Sequence, residues 1–347
     1  MSTVKAYAAI SAATPLVPFT LERRPPGLKD VVIDLAWCGI CHSDLHQVRD
    51  EWGGATFPMV PGHEMVGTVS QVGAAVTRFK VGDLAGVGCM VDSCRTCAPC
   101  RKGLEQFCQK GAAFSYNSTE MDRKTMTQGG YSQQVVCDEA FTLRIPRNLD
   151  LAGAAPLLCA GITTWSPLRH WKAGKGSKVG VVGLGGLGHM AVKLAAALGA
   201  EVTMLSTSKA KEADARRLGA HEFALTSDKD TFTKLAGRFD LIIDTISAPH
   251  DYNAHLGLVG QDGAMVVVGV PPAPTPVHAF SLIQGRKTLA GSLIGGIPET
   301  QELLDFCGEH GIVSDVERIK IQQINEAYER MVKNDVRYRF SIDLSTL

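Results

Sequence analysis

Cys94, Cys97, Cys100 and Cys108 place four thiols within fifteen residues, the first three at two-residue gaps. Thiolates so spaced can wrap one tetrahedral ion, and four sulfurs with no open position describe a structural zinc site. An iron–sulfur cluster takes the same ligands, a nucleic-acid zinc ribbon has related knuckles, and a loop of reduced cysteines is the plain alternative. Charge bears on the ribbon: Lys+Arg and Asp+Glu number 35 each, for a net charge of zero. Such a chain has no electrostatic pull toward nucleic acid or a membrane surface.

A second set is dispersed. Cys41 and His42 stand in Gly39-Ile40-Cys41-His42-Ser43-Asp44, His63 in Pro61-Gly62-His63-Glu64, and Cys159 in Leu158-Cys159-Ala160-Gly161-Ile162-Thr163. Two thiolates and one imidazole would leave a fourth position of a zinc ion open, as catalysis requires. Taken singly, Cys159 reads equally as a small buried apolar residue, and His63 as a satisfied loop histidine. Spacing does not by itself bring Cys159 to Cys41.

The third cluster is Gly183-Leu184-Gly185-Gly186-Leu187-Gly188, preceded by strand-like Lys178-Val179-Gly180-Val181-Val182 and followed by a helical run from Met190. This context makes it a dinucleotide loop: the glycines permit the tight turn and bring a helix N-terminus to a pyrophosphate. About 20 residues on, where a carboxylate would bind the 2′-hydroxyl of NAD, the chain reads Leu205-Ser206-Thr207-Ser208-Lys209-Ala210-Lys211. Three hydroxyls and two lysines suit a 2′-phosphate and favour NADP; the competing reading is a helix cap at Ser206 or Ser208.

These residues need elements to hold them. The first third is β-rich, with strands expected at 31–37 and 66–72, frequent Gly and Pro, and no helix of normal length before residue 150. Beyond it, strands at 178–182, 201–205, 239–244 and 263–269 alternate with helices, one of them ending near Leu218-Gly219. That alternation predicts a doubly wound parallel sheet over about 154–290. The tail, with a helix at 299–309 and a strand near 337–342, is too short to fold alone and should return to the first domain. The 347 residues allow two domains. Ten cysteines, no membrane-length apolar run and no basic-then-apolar N-terminal layout point to reduced thiols or metal ligands in the cytoplasm.

Taken in order, these motifs resemble the zinc-containing medium-chain alcohol dehydrogenases. The cinnamyl alcohol dehydrogenase-like branch is resembled most, through Cys41-His42-Ser43-Asp44-Leu45-His46, Pro58-Met59-Val60-Pro61-Gly62-His63-Glu64, Ser115-Tyr116-Asn117, Thr127-Gln128-Gly129-Gly130-Tyr131 and Val336-Arg337-Tyr338-Arg339-Phe340. The resemblance implies an α/β fold. A β-rich GroES-like catalytic domain over 1–153 and 291–347 would carry both zinc sites, beside a Rossmann dinucleotide-binding domain over 154–290. Cys41, His63 and Cys159 become catalytic zinc ligands, and Glu64 an acidic neighbour able to approach the metal. Ser43 becomes the hydroxyl on the substrate alcohol, Asp44 the acceptor from His63, His42 a pyrophosphate contact, and His46 the solvent end of a proton relay. Thr163, Gly183, Gly185, Gly186, Leu187, Gly188, Ser206, Thr207 and Lys211 become cofactor-binding residues. Trp52 and Phe114 become pocket residues favouring medium-sized, aromatic or allylic primary alcohols, with core aromatics as the competing reading. Cys38, Cys89, Cys137 and Cys307 match no ligand position and read as packing residues. The implied protein is an NADP(H)-dependent alcohol dehydrogenase/aldehyde reductase with two zinc ions per chain, a homodimer, and a cleft that closes on cofactor. Its rivals are a zinc-free quinone or enone reductase of the same architecture and a non-catalytic dinucleotide-binding redox sensor.

Overall fold

Alternating burial builds the first third of the chain. In the computed structural model, which describes residues 2–347, strands β1 (Ser2–Ala8) and β2 (Val17–Arg23) form an antiparallel hairpin. Strand β3 (Asp30–Ile40) is mostly apolar and buried, and it pairs antiparallel with β4 (Met65–Val72) on one edge and with later strands on the other. Strand β4 passes to β5 (Leu84–Val87); β6 (Met90–Asp92) and β7 (Ala113–Phe114) make a separate pair. Strands β8 (Gln134–Asp138) and β9 (Leu143–Arg144) add to β3 and β5 respectively.

The second part is a six-stranded parallel sheet. Its strands are β10 (Lys178–Val182), β11 (Glu201–Ser206), β12 (Glu222–Leu225), β13 (Phe239–Asp244), β14 (Val259–Val267) and β15 (Thr288–Gly291). Their order, β12-β11-β10-β13-β14-β15, is the Rossmann order with its reversal beside β10. Val182, Leu205, Phe239 and Ile242 pack with Leu256 and Leu258 in one apolar cluster. The helix Gly188–Ala197 buries Met190, Ala191, Val192, Leu194 and Ala195.

The tail does return. Strand β16 (Val316–Lys320) pairs with β17 (Arg339–Asp343), which lies antiparallel to β3 with Phe340 opposite Ile40. The first unit is therefore Met1–Ile162 with Gly295–Leu347, and the second Thr163–Ile294. The changeover falls after Ile162, where sequence reasoning expects it after residue 153, because the turns Leu151–Ala154 and Ala155–Leu158 pack on β3 and β4. Cys159 accordingly belongs to the first unit. Elements that escape the sequence pattern include the β1–β2 hairpin, the helices His42–Val48, Ala160–His170 and Ile324–Val332, and strands β12, β15 and β16. No single helix among the described residues is long and apolar enough to cross a membrane.

Candidate active site

Cys41 ends the run of β3 and starts the helix His42–Val48 in extended conformation. Asp44 fixes that start: its Oδ2 accepts from Cys41 N at 2.9 Å, so one short segment holds Cys41, Ser43 and Asp44 in fixed relation. His63 lies just before β4, and Cys159 ends the turn Ala155–Leu158. Three segments distant in sequence thus converge. The ligand atoms of Cys41, His63, Glu64 and Cys159 all lie within 4.8 Å of one another, with the two sulfurs 3.9 Å apart.

The surrounding groups prepare these donors. His63 Nδ1 lies 3.0 Å from Asp44 Oδ1; a proton given there leaves Nε2 as a lone-pair donor. The hydrogen bond with Cys159 draws the Cys41 thiol well below its usual range. Glu64 is fully buried and its Oε1 pairs with Arg339, whose guanidinium also donates to Ile40 O at 2.8 and 3.1 Å. Burial pushes the Glu64 carboxyl up to about 7 against the pull of Arg339. Its Oε2 is buried and has no hydrogen-bond partner. Two thiols, one imidazole and an orphaned carboxylate oxygen form a donor set that fits zinc.

Around this set, Ser43 Oγ is 3.6 Å from Cys41 Sγ, and His42 is exposed at the start of the helix. His46 pairs through Nδ1 with Glu51, and its ring lies 4.9 Å from that of Trp52. Trp52 and Phe114 are 47% and 40% exposed, so neither is a core aromatic.

The four-cysteine segment forms its own lobe. Cys94, Cys97, Cys100 and Cys108 bring their sulfurs within 4.8 Å of one another. Cys97 N donates to Cys94 Sγ at 3.4 Å, Gln109 N to Cys97 Sγ at 3.5 Å and Cys94 N to Cys108 Sγ at 3.4 Å. Backbone N–H groups of Thr96 and Cys97 hold the Cys94 thiol down to about 5, while burial pushes Cys100 up to about 12. Four sulfurs this close ionise together only around a cation.

Residues 27–147 match the alcohol dehydrogenase GroES-like domain, and residues 186–309 the zinc-binding dehydrogenase family. The chain is 57% identical to the NADP-dependent alcohol dehydrogenase C 1 of Mycolicibacterium smegmatis (strain ATCC 700084 / mc(2)155), covering 100% of this chain and 99% of that one. It is 54% identical to the aldehyde reductase YahK of Escherichia coli (strain K12), over 99% of each. Among solved structures, a cinnamyl alcohol dehydrogenase (SbCAD4) from Sorghum bicolor superposes with a TM-score of 0.96 at 45% identity, covering 99% of this chain and 98% of that one. The chain belongs to the zinc-containing alcohol dehydrogenases. Within them it falls in the cinnamyl alcohol dehydrogenase-like branch.

The second unit of this alcohol dehydrogenase carries the glycine loop between β10 and the helix Gly188–Ala197. At Gly188 a Cβ would stand 1.8 Å from Gly183 O, so the loop closes only on glycine, whereas a Cβ on Gly185 would meet nothing within 4 Å. Leu187 and Gly186 are half-buried beside them. Ser206, buried at the end of β11, accepts from Ser208 N at 3.3 Å, and Thr207 is exposed. The short turn Lys209–Lys211 has no side-chain cap from Ser208, which removes that residue from the cap reading. Lys211 Nζ donates to Leu184 O at 2.8 Å, tying this cluster to the glycine loop. Thr163 is buried in the helix Ala160–His170.

Sequence reasoning gave no role to Arg339, Glu51 or Cys89. Arg339 lies in a motif quoted only as a branch marker, and nothing local links it to Glu64, 275 positions away. Glu51, five residues beyond His46, carried a weak signal, since a carboxylate near a histidine is common. Cys89, read as a packing residue, hydrogen-bonds Cys159 and so borders the donor set.

Proposed function

We propose that this protein is a zinc-dependent NADP(H) alcohol dehydrogenase/aldehyde reductase with two zinc ions per chain. Cys41, His63 and Cys159 hold the catalytic ion, and Cys94, Cys97, Cys100 and Cys108 the structural one. The observation that carries the reading is the convergence of three distant segments on one donor set, beside a buried carboxylate oxygen without a partner. A zinc-free reductase has no use for either set, and a non-catalytic sensor has none for a set of three strong donors beside a serine hydroxyl.

Zinc held there supplies Lewis acidity, stabilising negative charge on the oxygen of an alcohol or aldehyde. Ser43 holds the proton of that oxygen through its hydroxyl, and His46, half-exposed and paired with Glu51, passes protons to solvent. Asp44 keeps His63 turned with Nδ1 inward. Glu64 stays on Arg339 through one oxygen and keeps the other available to the metal. In the second unit the loop from Gly183 to Gly188 takes the pyrophosphate, with Ser206, Thr207 and Lys211 at the 2′-phosphate of NADP(H).

Trp52 and Phe114 offer uncovered apolar faces that suit medium-sized, aromatic or allylic primary alcohols over polyols. The sorghum relative, a cinnamyl alcohol dehydrogenase, supports that choice. Strand β15 ends the six-stranded sheet, and Phe280 and Ile283 near it are 60% and 66% exposed, which supports pairing with a second copy as a homodimer. Ten cysteines outside any disulfide, six of them assigned here to zinc, support a reducing compartment, the cytoplasm. An NADPH-oxidation assay over aliphatic, aromatic and allylic aldehydes tests the reading. We expect turnover highest with the aromatic and allylic members; a complete lack of turnover across the panel would refute it.

A further inference from the structure

Thr127-Gln128-Gly129-Gly130-Tyr131 takes no part in the chemistry above, yet the fold binds it to the segment that delivers His63. Gly129 N donates to Val60 O at 2.7 Å, Gly130 N to Gly62 O at 2.9 Å, and Tyr131 N to Pro61 O at 2.9 Å. The two segments are in close contact: at Gly62, with φ +102°, a Cβ would meet Tyr131 Cδ1 at 2.7 Å. Arg23, itself buried, clamps the far side by donating to Gln128 O, Gly129 O and Ser132 Oγ at 2.7, 2.7 and 2.8 Å.

What this lacing delivers is a phenol. Tyr131 is fully buried and its hydroxyl donates to Asp44 Oδ2 at 3.2 Å. Behind it, the Tyr328 hydroxyl lies 3.4 Å from the Tyr131 hydroxyl. A hydroxyl that accepts from Tyr328 commits its own proton to Asp44. Asp44 is completely buried and no lysine or arginine is among its hydrogen-bond partners. Its Oδ2 receives Cys41 N and the Tyr131 hydroxyl, and its Oδ1 receives Gly62 N at 3.2 Å and His63 Nδ1. A buried carboxylate held by directed donors cannot rotate without leaving some of them unpaired. Tyr116 adds a wall, its ring stacked on His63 with centroids 5.8 Å apart, and its hydroxyl also hydrogen-bonds Asp44.

We propose that Tyr131, oriented by Tyr328, is a positioning residue of the metal site. Its hydroxyl locks Asp44, and Asp44 in turn fixes the His63 ring with Nε2 toward the other donors. Phenylalanine at 131 would fill the same space and leave Asp44 Oδ2 with one donor fewer. The proposal rests on the reading of Cys41, His63 and Cys159 as zinc ligands.

The test follows zinc release to excess EDTA with a zinc-sensitive dye, in the full-length holoenzyme, for the parent, Tyr131→Phe, Tyr328→Phe and Cys159→Ser. Cys159→Ser identifies which released ion belongs to the catalytic set. Groups that orient a metal-bound histidine typically change metal affinity ten- to hundredfold. Tyr131→Phe should therefore speed release of that ion about tenfold or more and leave the other ion at the parent's rate. Tyr328→Phe should act in the same direction but less, and it covers the case in which Tyr131→Phe fails to fold. Placing Tyr131→Phe in an Asp44→Asn background should add less than about twofold, because both act through one carboxylate. Parental release rates in both phenylalanine variants, or equal acceleration of both ions, overturn the proposal. A parent that carries no ion sensitive to Cys159→Ser overturns the zinc-site reading itself, and the proposal with it.

Discussion

Ser43 offers one hydroxyl two residues beyond Cys41, in a helix whose start is fixed by Asp44. Removing it should leave the metal donors and the dinucleotide loop untouched. Ser43→Ala is expected to lower kcat by about 10²–10⁴-fold, the range of a positioned proton-transfer group, with the KM for NADP(H) nearly unchanged; a kcat within twofold of the parent would remove Ser43 from the reaction. Cofactor choice also rests on single side chains. Ser206→Asp should repel a 2′-phosphate and shift the ratio of kcat/KM values from NADP(H) toward NAD(H). Lys211→Ala should cost NADP(H) roughly ten- to hundredfold, at ~1.5–3 kcal/mol for a charge-assisted contact, partly offset because Lys211 also leaves Leu184 O. Equal efficiencies with both cofactors in the parent would contradict the assignment. At this scale Cys41, Ser43, Asp44 and His63 are legible because each sits in a short motif with its neighbours. Arg339 and Tyr131 are not, because what they touch is brought to them only by β17 crossing β3 and by the loop laced beside Pro61 and Gly62.

Two elements carry consequences of their own. The cysteine lobe reaches beyond its sulfurs: Glu105 Oε2 accepts from Ile297 N at 3.0 Å, capping the helix Ile297–His310, whose N-cap Gly296 has no side chain for the purpose. Cys100→Ser should lose the lobe's ion and that cap together, lowering stability by ~3 kcal/mol and Tm by about 6–12 °C, measured by calorimetry with zinc quantified in parallel. In the second unit, buried Asp244 at the end of β13 pairs with His250 Nε2 at 2.8 Å, and this hydrogen bond raises the His250 pKa above its usual 6.5. A raised folded-state value means the folded form holds its proton longer. The pair's stabilisation is therefore complete below about pH 6.5 and is lost as pH rises through the folded value. His255 nearby works in the opposite sense, since burial lowers it, so the difference between the parent and His250→Gln isolates the pair. That difference in urea midpoint should be constant below about pH 6.5 and shrink as pH rises above it; a constant difference throughout would contradict the coupling. Element legibility follows the same division. The four central strands of the parallel sheet, β10, β11, β13 and β14, are mostly apolar runs and announce themselves, whereas the short edge strands β12 and β15 do not. His42-Ser43-Asp44-Leu45-His46-Gln47-Val48 is too short to show a helical period and is helical because Cys41 and Asp44 cap it.

For the whole molecule, the order of motifs along the chain already implied a β-rich unit interrupted by a parallel α/β unit, and the shortness of the tail implied its return. Composition could not show that the segment up to Cys159 belongs with the first unit, since Leu151-Ala152-Gly153-Ala154-Ala155-Pro156-Leu157-Leu158 is apolar enough to pack in either. That placement brings Cys159 to Cys41 and His63, and the central claim depends on it. The most direct test is zinc content measured alongside NADPH-linked reduction of an aromatic aldehyde, for the parent and for His63→Ala. Two zinc ions per chain with turnover in the parent, and one zinc ion with a folded chain and negligible turnover in His63→Ala, is the predicted result. Undiminished turnover in His63→Ala, or a parent that turns over with one zinc ion or none, would contradict it.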